Sequence, residues 1–322
     1  MRSGPVKAFV VASLLLVTVS WAAFAWPDRP VRIVVGFQAG GSSDVVARLA
    51  AERLRGQLGG TTIIVENRPG AAGAIAADSV LNARDGHSLL SFSDSLVTSA
   101  LTNKSVRYQP LRDFKMISLL CEGTLVLLAA SNAPFRDFKE FVAYARANPG
   151  KVDYASAGVG GHQHLTGEYL AAALKLDLTH VPTRGGAQAT TDLVGGQVMA
   201  AVLGLGPTLP HIRTGKVKAL AVTAPSRVPQ LPDVPTLIEL GLAGFTADQW
   251  FGLAGPADMP QAVIDQLAKA VAAALDDEAL KRRYEEVGFT ARATTPAEFT
   301  EKVRFQEALW RQLIAERGLK IE

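Results

Sequence analysis

Residues 31–54 read VRIVVGFQAGGSSDVVARLAAERL, and this stretch decides the fold. Its β-branched run over 31–37 has the length of a strand and is closed by Gly40-Gly41. From Ser42 onward the apolar residues recur at helical spacing. A strand that passes through a glycine turn directly into a helix is typical of an α/β fold.

The same order of strand, loop and helix continues along the chain. Strands are predicted over 61–65 and 88–92, with an alanine-rich helix between them. A second series begins after residue 124, with strands predicted over 125–130, 152–156, 179–181, 198–203 and 219–223. Nearly continuous apolar strands that alternate with helices predict mainly parallel sheets flanked by helices. Two such units in succession predict two domains with a cleft between them.

The first 25 residues have the pattern of a signal peptide. Arg2 and Lys7 precede an apolar run over 8–19, and Ala23-Phe24-Ala25 supplies small residues for cleavage after Ala25. The run is shorter than the roughly 20 apolar residues that a membrane-spanning helix needs. No cysteine follows the cleavage site, so we expect no lipid anchor and no membrane insertion. The mature chain is therefore predicted to begin at Trp26 and to work in the periplasm.

Charge and cysteine content exclude several classes of protein. The 322 residues include 33 basic and 30 acidic side chains, and removal of Arg2 and Lys7 with the leader leaves a formal charge of +1. The sequence has no block of Lys and Arg that would suggest a nucleic-acid or membrane-surface partner. The single cysteine, Cys121, cannot form an intrachain disulfide and is expected to be buried. A monomer is the default expectation.

Catalytic and cofactor motifs are incomplete. No G-x-S-x-G elbow is present, and neither glycine-rich loop carries the lysine of a P-loop. Residues 158–163 begin like a dinucleotide-binding loop but have Gln163 in place of the third glycine. His162 and His164 could ligate a metal only if further ligands such as His180 or Glu168 converge on them. We therefore predict no cofactor, no metal and no enzymatic activity.

Glycine- and serine-rich loops are abundant where predicted strands lead into helices. Three of them cover residues 40–43, 69–73 and 156–161. Helix N-termini carry free N–H groups and a partial positive charge, and glycine lets a ligand approach the backbone. Such loops bind anions without a charged side chain, although any α/β protein also needs ordinary glycine turns. Asp44, in one of these loops, either complements its own helix dipole or pairs with the ammonium group of a zwitterionic ligand.

Short motifs across nearly the whole mature chain resemble a known family. They are WPDRPVR at 26–32, GGSSD at 40–44, VENRPG at 65–70, DGH at 85–87, NPGK at 148–151, SAGVGGHQHL at 156–165, DLVGGQ at 192–197, GKVKALAVT at 215–223 and LPDVPT at 231–236. In this combination the chain resembles the periplasmic receptors of tripartite tricarboxylate transporters, the Bug-like binding proteins.

The resemblance implies an α/β, two-domain periplasmic binding protein of the type II-like class, with a hinge and an interdomain cleft. Each domain is expected to be a mainly parallel sheet flanked by helices. Domain 1 would comprise residues 26–124 and 247–322, and domain 2 residues 125–246. The chain would cross near residue 124 and return near Asp248.

The resemblance also implies which residues face the ligand. The first-strand loop, the second-strand loop and the Ser-Gly loop of domain 2 supply most of them. The predicted ligand-binding residues are Gly40, Gly41, Ser42, Ser43, Asp44, Ala71, Ala72, Gly73, Ser156, Gly158, His164, Thr183, Arg184 and Asp248.

The chain departs from the family pattern on these same loops. It has FQAGG at 37–41 where the family has a proline, and Ala72 where a glycine is usual. It also has Thr183-Arg184 where Tyr-Lys is usual. Loss of the aromatic ring at Thr183 leaves room for a larger ligand. Arg184 either clamps a second carboxylate with its planar guanidinium or points to solvent.

The function predicted from these observations is capture of a small carboxylate in the cleft through backbone N–H groups and hydroxyls. The candidates are di- or tricarboxylates, acidic amino acids and aromatic acids, delivered to membrane permease subunits or presented to a sensor protein. Two alternatives remain open at this point. One is an exported hydrolase that uses Ser156 with His162 or His164, and the other is a metal receptor that uses His162, His164 and His180.

Overall fold

The computed structural model describes residues 26–242, 245–317 and 319. The predicted signal peptide and its cleavage site at Ala25 lie outside the described residues. None of the described helices is long and apolar enough to cross a lipid bilayer.

Strands and helices alternate along the chain, as the sequence predicts. The first elements are β1 (Val31–Val35), α1 (Ser42–Gln57), β2 (Ile63–Asn67), a 3-10 turn (Ala71–Gly73), α2 (Ala74–Ala83), β3 (Ser88–Ser93), α3 (Asp94–Thr102), α4 (Pro110–Asp113) and β4 (Phe114–Ala130). Next come α5 (Phe138–Ala147), β5 (Val152–Ser156), α6 (His162–Leu174), β6 (Leu178–Pro182), α7 (Gly186–Val194), β7 (Ala200–Gly204), α8 (Leu205–Arg213) and β8 (Val217–Val222). The chain then returns through β9 (Asp248–Pro256), α9 (Gln261–Leu275), α10 (Glu278–Glu286), β10 (Phe289–Ala291) and α11 (Pro296–Arg317).

Two sheets share the long strand β4. The first, in the order β2-β1-β3-β9-β4, also pairs β10 with β4, and it defines lobe 1. The second, in the order β4-β7-β5-β6, also pairs β8 with β4, and it defines lobe 2. Strands β2, β1 and β3 run parallel, as do β7, β5 and β6. Strand β9 lies antiparallel to β3 and β4, and β7 and β8 lie antiparallel to β4.

Burial on both faces of each sheet explains the apolar strands. In β1, Ile33 packs on one side with α1 and α9, whereas Val34 packs on the other side with Phe299 of α11. In β4, Leu127 and Leu128 are divided in the same way between two core clusters of lobe 2. Successive side chains of a strand point to opposite faces, so both must be apolar when helices cover both faces. The two-lobed α/β fold predicted from the sequence is confirmed.

The chain crosses between the sheets in the middle of β4. Thr124 pairs with Asp248 in the first sheet, and the next residue, Leu125, pairs with Gly204 in the second. The Thr223 hydroxyl lies at the same place, 3.0 Å from the Thr124 hydroxyl and 2.7 Å from the Ala247 carbonyl oxygen that it donates to. We propose that the hinge lies at this crossing, where the predicted domain boundaries at 124/125 and 246/247 fall.

Candidate functional site

A small cavity lies between the two lobes. Lobe 1 contributes Phe37, Gly41, Ser42, Ser43, Ser93, Asp94, Ser95, Gln249 and Phe251 to its lining. Lobe 2 contributes Ala157, Gln163, Gly186, Thr190, Leu203, Gly204 and Pro207. None of these described lining residues is a lysine or an arginine.

Five helices place their N-termini at or beside this cavity. They are α1 and α3 from lobe 1, and α6, α7 and α8 from lobe 2. Their N-cap residues are Gly41, Ser93, Gly161, Gly185 and Gly204, and none of these five forms a side-chain capping hydrogen bond. A helix N-terminus carries about half a positive charge on N–H groups that lack intrahelical partners. In α3 and α6 one of these N–H groups already donates to a side chain, Ser95 to Asp94 and His162 to Ser95. The cavity therefore suits an anion even though its lining has no cationic side chain.

A close approach of two backbones positions the first of these loops. A Cβ atom at Gly36 would lie only 2.5 Å from the Cα of Gly73, which follows β2. Glycine at this position lets the loop after β1 and the loop after β2 pack directly against each other.

Asp44 braces the same two loops. Its carboxylate accepts hydrogen bonds from the Gly40 N–H at 3.0 Å, the Arg48 guanidinium at 3.0 Å and the Asn67 amide at 2.9 Å. Burial acts to raise the pKa of Asp44, but these hydrogen bonds together lower it below its usual value. The Asp44 carboxylate, predicted to bind ligand, is thus hydrogen-bonded to other parts of the protein, including the Gly40 N–H. The next predicted residues, Gly41, Ser42 and Ser43, line the cavity.

The Ala71–Gly73 turn contacts lobe 2. Ideal Cβ atoms at Gly158 and Gly161 would lie 3.7 Å and 3.5 Å from the Cβ of Ala72. Two hydrogen bonds join the lobes nearby. The Thr102 hydroxyl donates to the Gly160 carbonyl at 3.2 Å, and the His162 N–H donates to the Ser95 hydroxyl at 3.2 Å. The predicted residues Ala72 and Gly158 therefore lie where the lobes meet, and Ala71 and Gly73 flank Ala72 in the same turn.

Ser156, His164 and Thr183 form an internal network of lobe 2. The Ser156 hydroxyl lies 2.7 Å from His180 Nε2, and the His180 ring stacks on the His164 ring with 3.7 Å between centroids. His164 Nδ1 accepts the Gly160 N–H at 3.0 Å, and the Thr183 hydroxyl donates to the Ser156 carbonyl at 2.9 Å. These contacts hold the Ser-Gly loop in place from behind the cavity.

Arg184 and Asp248 are predicted residues with exposed, charged side chains, and Ala71 is exposed as well. Arg184 precedes α7, and its backbone N–H donates to the Gln188 side chain at 3.3 Å. Asp248 lies at the crossing of the lobes, where Lys302 Nζ approaches its carboxylate to 3.9 Å. Burial raises the pKa of Asp248 and Lys302 opposes that shift.

The geometry does not assemble the serine-histidine pairing of the hydrolase alternative. Ser156 is fully buried and contacts His180 instead of His162 or His164. His162 lies on the opposite side of the loop, with its ring edge-on to Trp310 at 5.3 Å. In the described part of the chain, no group of three or more His, Cys, Asp or Glu side chains is arranged to hold a metal.

Asp94, Ser93, Gln163 and Gln249 line the cavity but were missed by the sequence interpretation. Asp94 opens α3, and its carboxylate accepts the N–H groups of Ser95 and, at 3.1 Å, of Trp250. Burial raises the pKa of Asp94 to about 7, although these N–H groups act in the opposite direction. The signal was present, because Ser93-Asp94-Ser95 between a strand and an apolar helical pattern is a helix-start sequence.

Buried histidines predict loss of stability in mild acid. Burial lowers the pKa of His162 to about 3, of His164 to about 4 and of His180 to about 3. Below pH ~6.5 the unfolded chain binds protons at these histidines that the native protein does not, so the free energy of unfolding falls. Asp94 makes the opposite contribution to the pH dependence of the free energy of unfolding, since its raised pKa lets the native state bind one extra proton. The net difference of about two protons predicts a loss of roughly 2.7 kcal/mol per pH unit near pH ~5.5.

Urea denaturation at several pH values between ~7.5 and ~5.5 measures this slope. The variant His162→Gln should lower the slope by about 1.4 kcal/mol per pH unit. A free energy of unfolding that stays constant or rises as the pH is lowered over this range would contradict the assignment of buried, neutral histidines.

Comparisons with known proteins agree with this architecture. A family model described as "Tripartite tricarboxylate transporter family receptor" matches residues 46–319. The "UPF0065 protein in tcbD-tcbE intergenic region" of Pseudomonas sp. (strain P51) is 36% identical over 298 residues, which cover 91% of this chain and 87% of that protein.

Solved structures give the same result. The periplasmic binding protein BugD superposes with a TM-score of 0.88 at 36% identity, covering 92% of this chain and 100% of that chain. MatC (Rpa3494) from Rhodopseudomonas palustris, solved with bound malate, superposes with a TM-score of 0.85 at 34% identity, covering 89% and 99%.

The family model and the superpositions thus span both lobes and the cavity between them. Members of this family are solute-binding receptors that work with membrane transporter components. The chain belongs to the tripartite tricarboxylate transporter receptor family and is a periplasmic solute-binding protein of the Bug type.

Proposed function

We propose that this receptor captures a small carboxylate in the cavity between its lobes, mainly through backbone N–H groups. The observation that carries this proposal is that five helices, whose N-cap residues form no side-chain capping hydrogen bond, begin at or beside a cavity whose described lining has no lysine or arginine. Each hydrogen bond to a charged group contributes roughly 1.5–3 kcal/mol. Four or five of them sustain micromolar binding, about 8 kcal/mol, after the ordering costs. The relative MatC was solved with bound malate, which supports the same ligand class.

The lobes are proposed to close about the crossing in β4 when the ligand binds. Support comes from the contacts that join them across the cleft, among them Thr102 to Gly160 and Ser95 to His162. Neither contact needs a long side chain, so each forms only when the lobes approach closely. The closed form then delivers its ligand to permease subunits in the membrane, and presentation to a sensor is the alternative destination. The working compartment would be the periplasm, after cleavage of the leader behind Ala25.

A thermal-shift screen tests the proposed ligand class. The purified mature chain is melted with dicarboxylates, citrate-like acids, acidic amino acids and aromatic acids, each beside its uncharged amide. At 100 times Kd a ligand stabilises by roughly 2.7 kcal/mol, so the Tm should rise by several degrees for at least one acid. An amide that raises the Tm as much as its acid, or a complete set of acids that leaves the Tm unchanged, would refute carboxylate capture.

A further inference from the structure

We propose that Asp94 makes the cavity selective for carboxylic acids that carry a hydrogen-bond donor, a hydroxyl or an ammonium group, near the carboxylate. This inference rests on the proposed function, because it concerns the same cavity. It limits the proposed ligands to acids whose hydroxyl or ammonium group can contact the wall of the cavity that contains Asp94.

Asp94 is the only ionisable side chain in the described lining of the cavity. It is 1% exposed, and its two oxygens accept the N–H groups of Ser95 and Trp250. The Ser95 side chain also hydrogen-bonds to Asp94. A carboxylate has about four lone-pair sites, so about one hydrogen-bond position of Asp94 is left after these contacts. That position accepts and does not donate a hydrogen bond while Asp94 is ionised.

Two further polar atoms lie beside Asp94 on the same wall. Within residues 26–242, 245–317 and 319, neither the Ser93 Oγ nor the Gln249 Oε1 has a hydrogen-bond partner. Ser93 is 0% exposed and Gln249 is 4% exposed. They lie at adjoining ends of β3 and β9, since Ser93 pairs with Phe251, two residues beyond Gln249. Buried polar atoms without a partner are uncommon in native proteins, and where they line a cavity a bound ligand can supply the missing group.

Within the described residues, no Lys or Arg forms an ion pair with Asp94. Lys302 of α11 is the cation that acts on Asp94, but its ammonium group lies 2.7 Å from Glu122 and 3.9 Å from Asp248. An acid that offers only carboxylates would therefore place its negative charge near an acidic wall. An acid with a hydroxyl or ammonium group can direct its carboxylate to the helix N-termini and its donor to Asp94. The helix N-termini would thus bind the carboxylate of a ligand, and Asp94 would bind its hydroxyl or ammonium group.

Calorimetry on matched sets of acids tests this selectivity. Each set contains a plain, a 2-hydroxy and a 2-amino acid of the same skeleton: succinate, malate and aspartate; glutarate, 2-hydroxyglutarate and glutamate; propionate, lactate and alanine; phenylacetate, mandelate and phenylglycine. In the set that fits the cavity, we expect a donor-bearing acid to bind about tenfold or more tightly than the plain acid. Asp94→Asn should weaken the donor-bearing acid about tenfold, and more for an ammonium group. It should leave the plain acid unchanged or bound more tightly.

The outcomes separate the two proposals. If no acid of any set binds the unmutated protein, carboxylate capture itself is wrong. If the plain acid binds as tightly as its donor-bearing partners, or if Asp94→Asn weakens all three members alike, only the selectivity is wrong. Ser93→Ala serves as a second variant if Asp94→Asn does not fold, because Ser93 forms no protein hydrogen bond within the described residues. It should weaken the donor-bearing acid about threefold and the plain acid not at all, and equal effects would overturn the inference.

Discussion

Replacing Gly41 with valine is expected to weaken carboxylate binding severely while the protein stays folded. Gly41 has φ −79° and ψ 170°, which any residue adopts. An added Cβ would lie 3.7 Å from the Ala187 nitrogen and 3.9 Å from the Gly186 nitrogen, which are ordinary contacts. Those nitrogens belong to the first turn of α7 in the opposite lobe. The two methyl groups of valine would therefore fill the space between two helix N-termini that the anion needs.

The expected loss is about 100-fold or more in affinity, or about 2.8 kcal/mol, which corresponds to one or two hydrogen bonds to a charged ligand. Isothermal calorimetry with the best acid from the screen measures it. Gly56→Ala is the matched control, since Gly56 lies in the same helix and no heavy atom lies within 4 Å of its added Cβ. That control should bind as the unmutated protein does. A Gly41→Val variant within threefold of the original affinity would remove this loop from the site.

A disulfide between residues 72 and 161 is expected to lock the lobes together and stop ligand exchange. The ideal Cβ of Gly161 lies 3.5 Å from the Cβ of Ala72, within the range of roughly 3.5–4.5 Å that disulfides require. Residue 72 belongs to lobe 1 and residue 161 to lobe 2. When Ala72→Cys and Gly161→Cys are combined and oxidised, a ligand bound beforehand should remain bound through dialysis. A ligand added afterwards should fail to enter.

Reduction reverses the link and supplies the first control, because the reduced double variant should exchange ligand freely. The two single variants supply the second. The native Cys121 is fully buried, and burial raises the pKa of its thiol, so it does not compete for the new cysteines. Unchanged exchange kinetics in the oxidised protein would show that the ligand enters without separation of these surfaces.

The sequence contained enough information to predict the parallel parts of both sheets. Residues such as Ile33 and Val34 lie on opposite faces of one strand and are both apolar, which occurs only when both faces are covered. The glycine loop at 40–43 was also predictable from the sequence, and Gly41, Ser42 and Ser43 line the cavity.

The antiparallel strands that join the lobes were harder to predict. β4 is a single strand from Phe114 to Ala130, whereas the sequence suggested a strand only from Leu125. Glu122, Gly123 and Thr124 interrupt the apolar pattern at the crossing between the two sheets. β9 pairs with residues more than a hundred positions away, and short-range patterns contain no information about such partners.

Side-chain direction limited the prediction of the site. His164 and Ser156 come from a loop at the cavity, but their side chains turn toward His180 inside lobe 2. Asp94 and Gln249 come from segments without a glycine motif, yet both line the cavity. Which way a side chain points depends on contacts between distant segments, so the loops were predictable and the individual contacts were not.

A crystal structure of the protein with its tightest-binding acid tests the central claim most directly. We predict that the ligand's carboxylate oxygens lie about 2.7–3.1 Å from backbone nitrogens at the start of α1 and of a lobe 2 helix, α7 or α8. A carboxylate paired instead with the Arg184 guanidinium, or bound outside the cavity between the lobes, would contradict it.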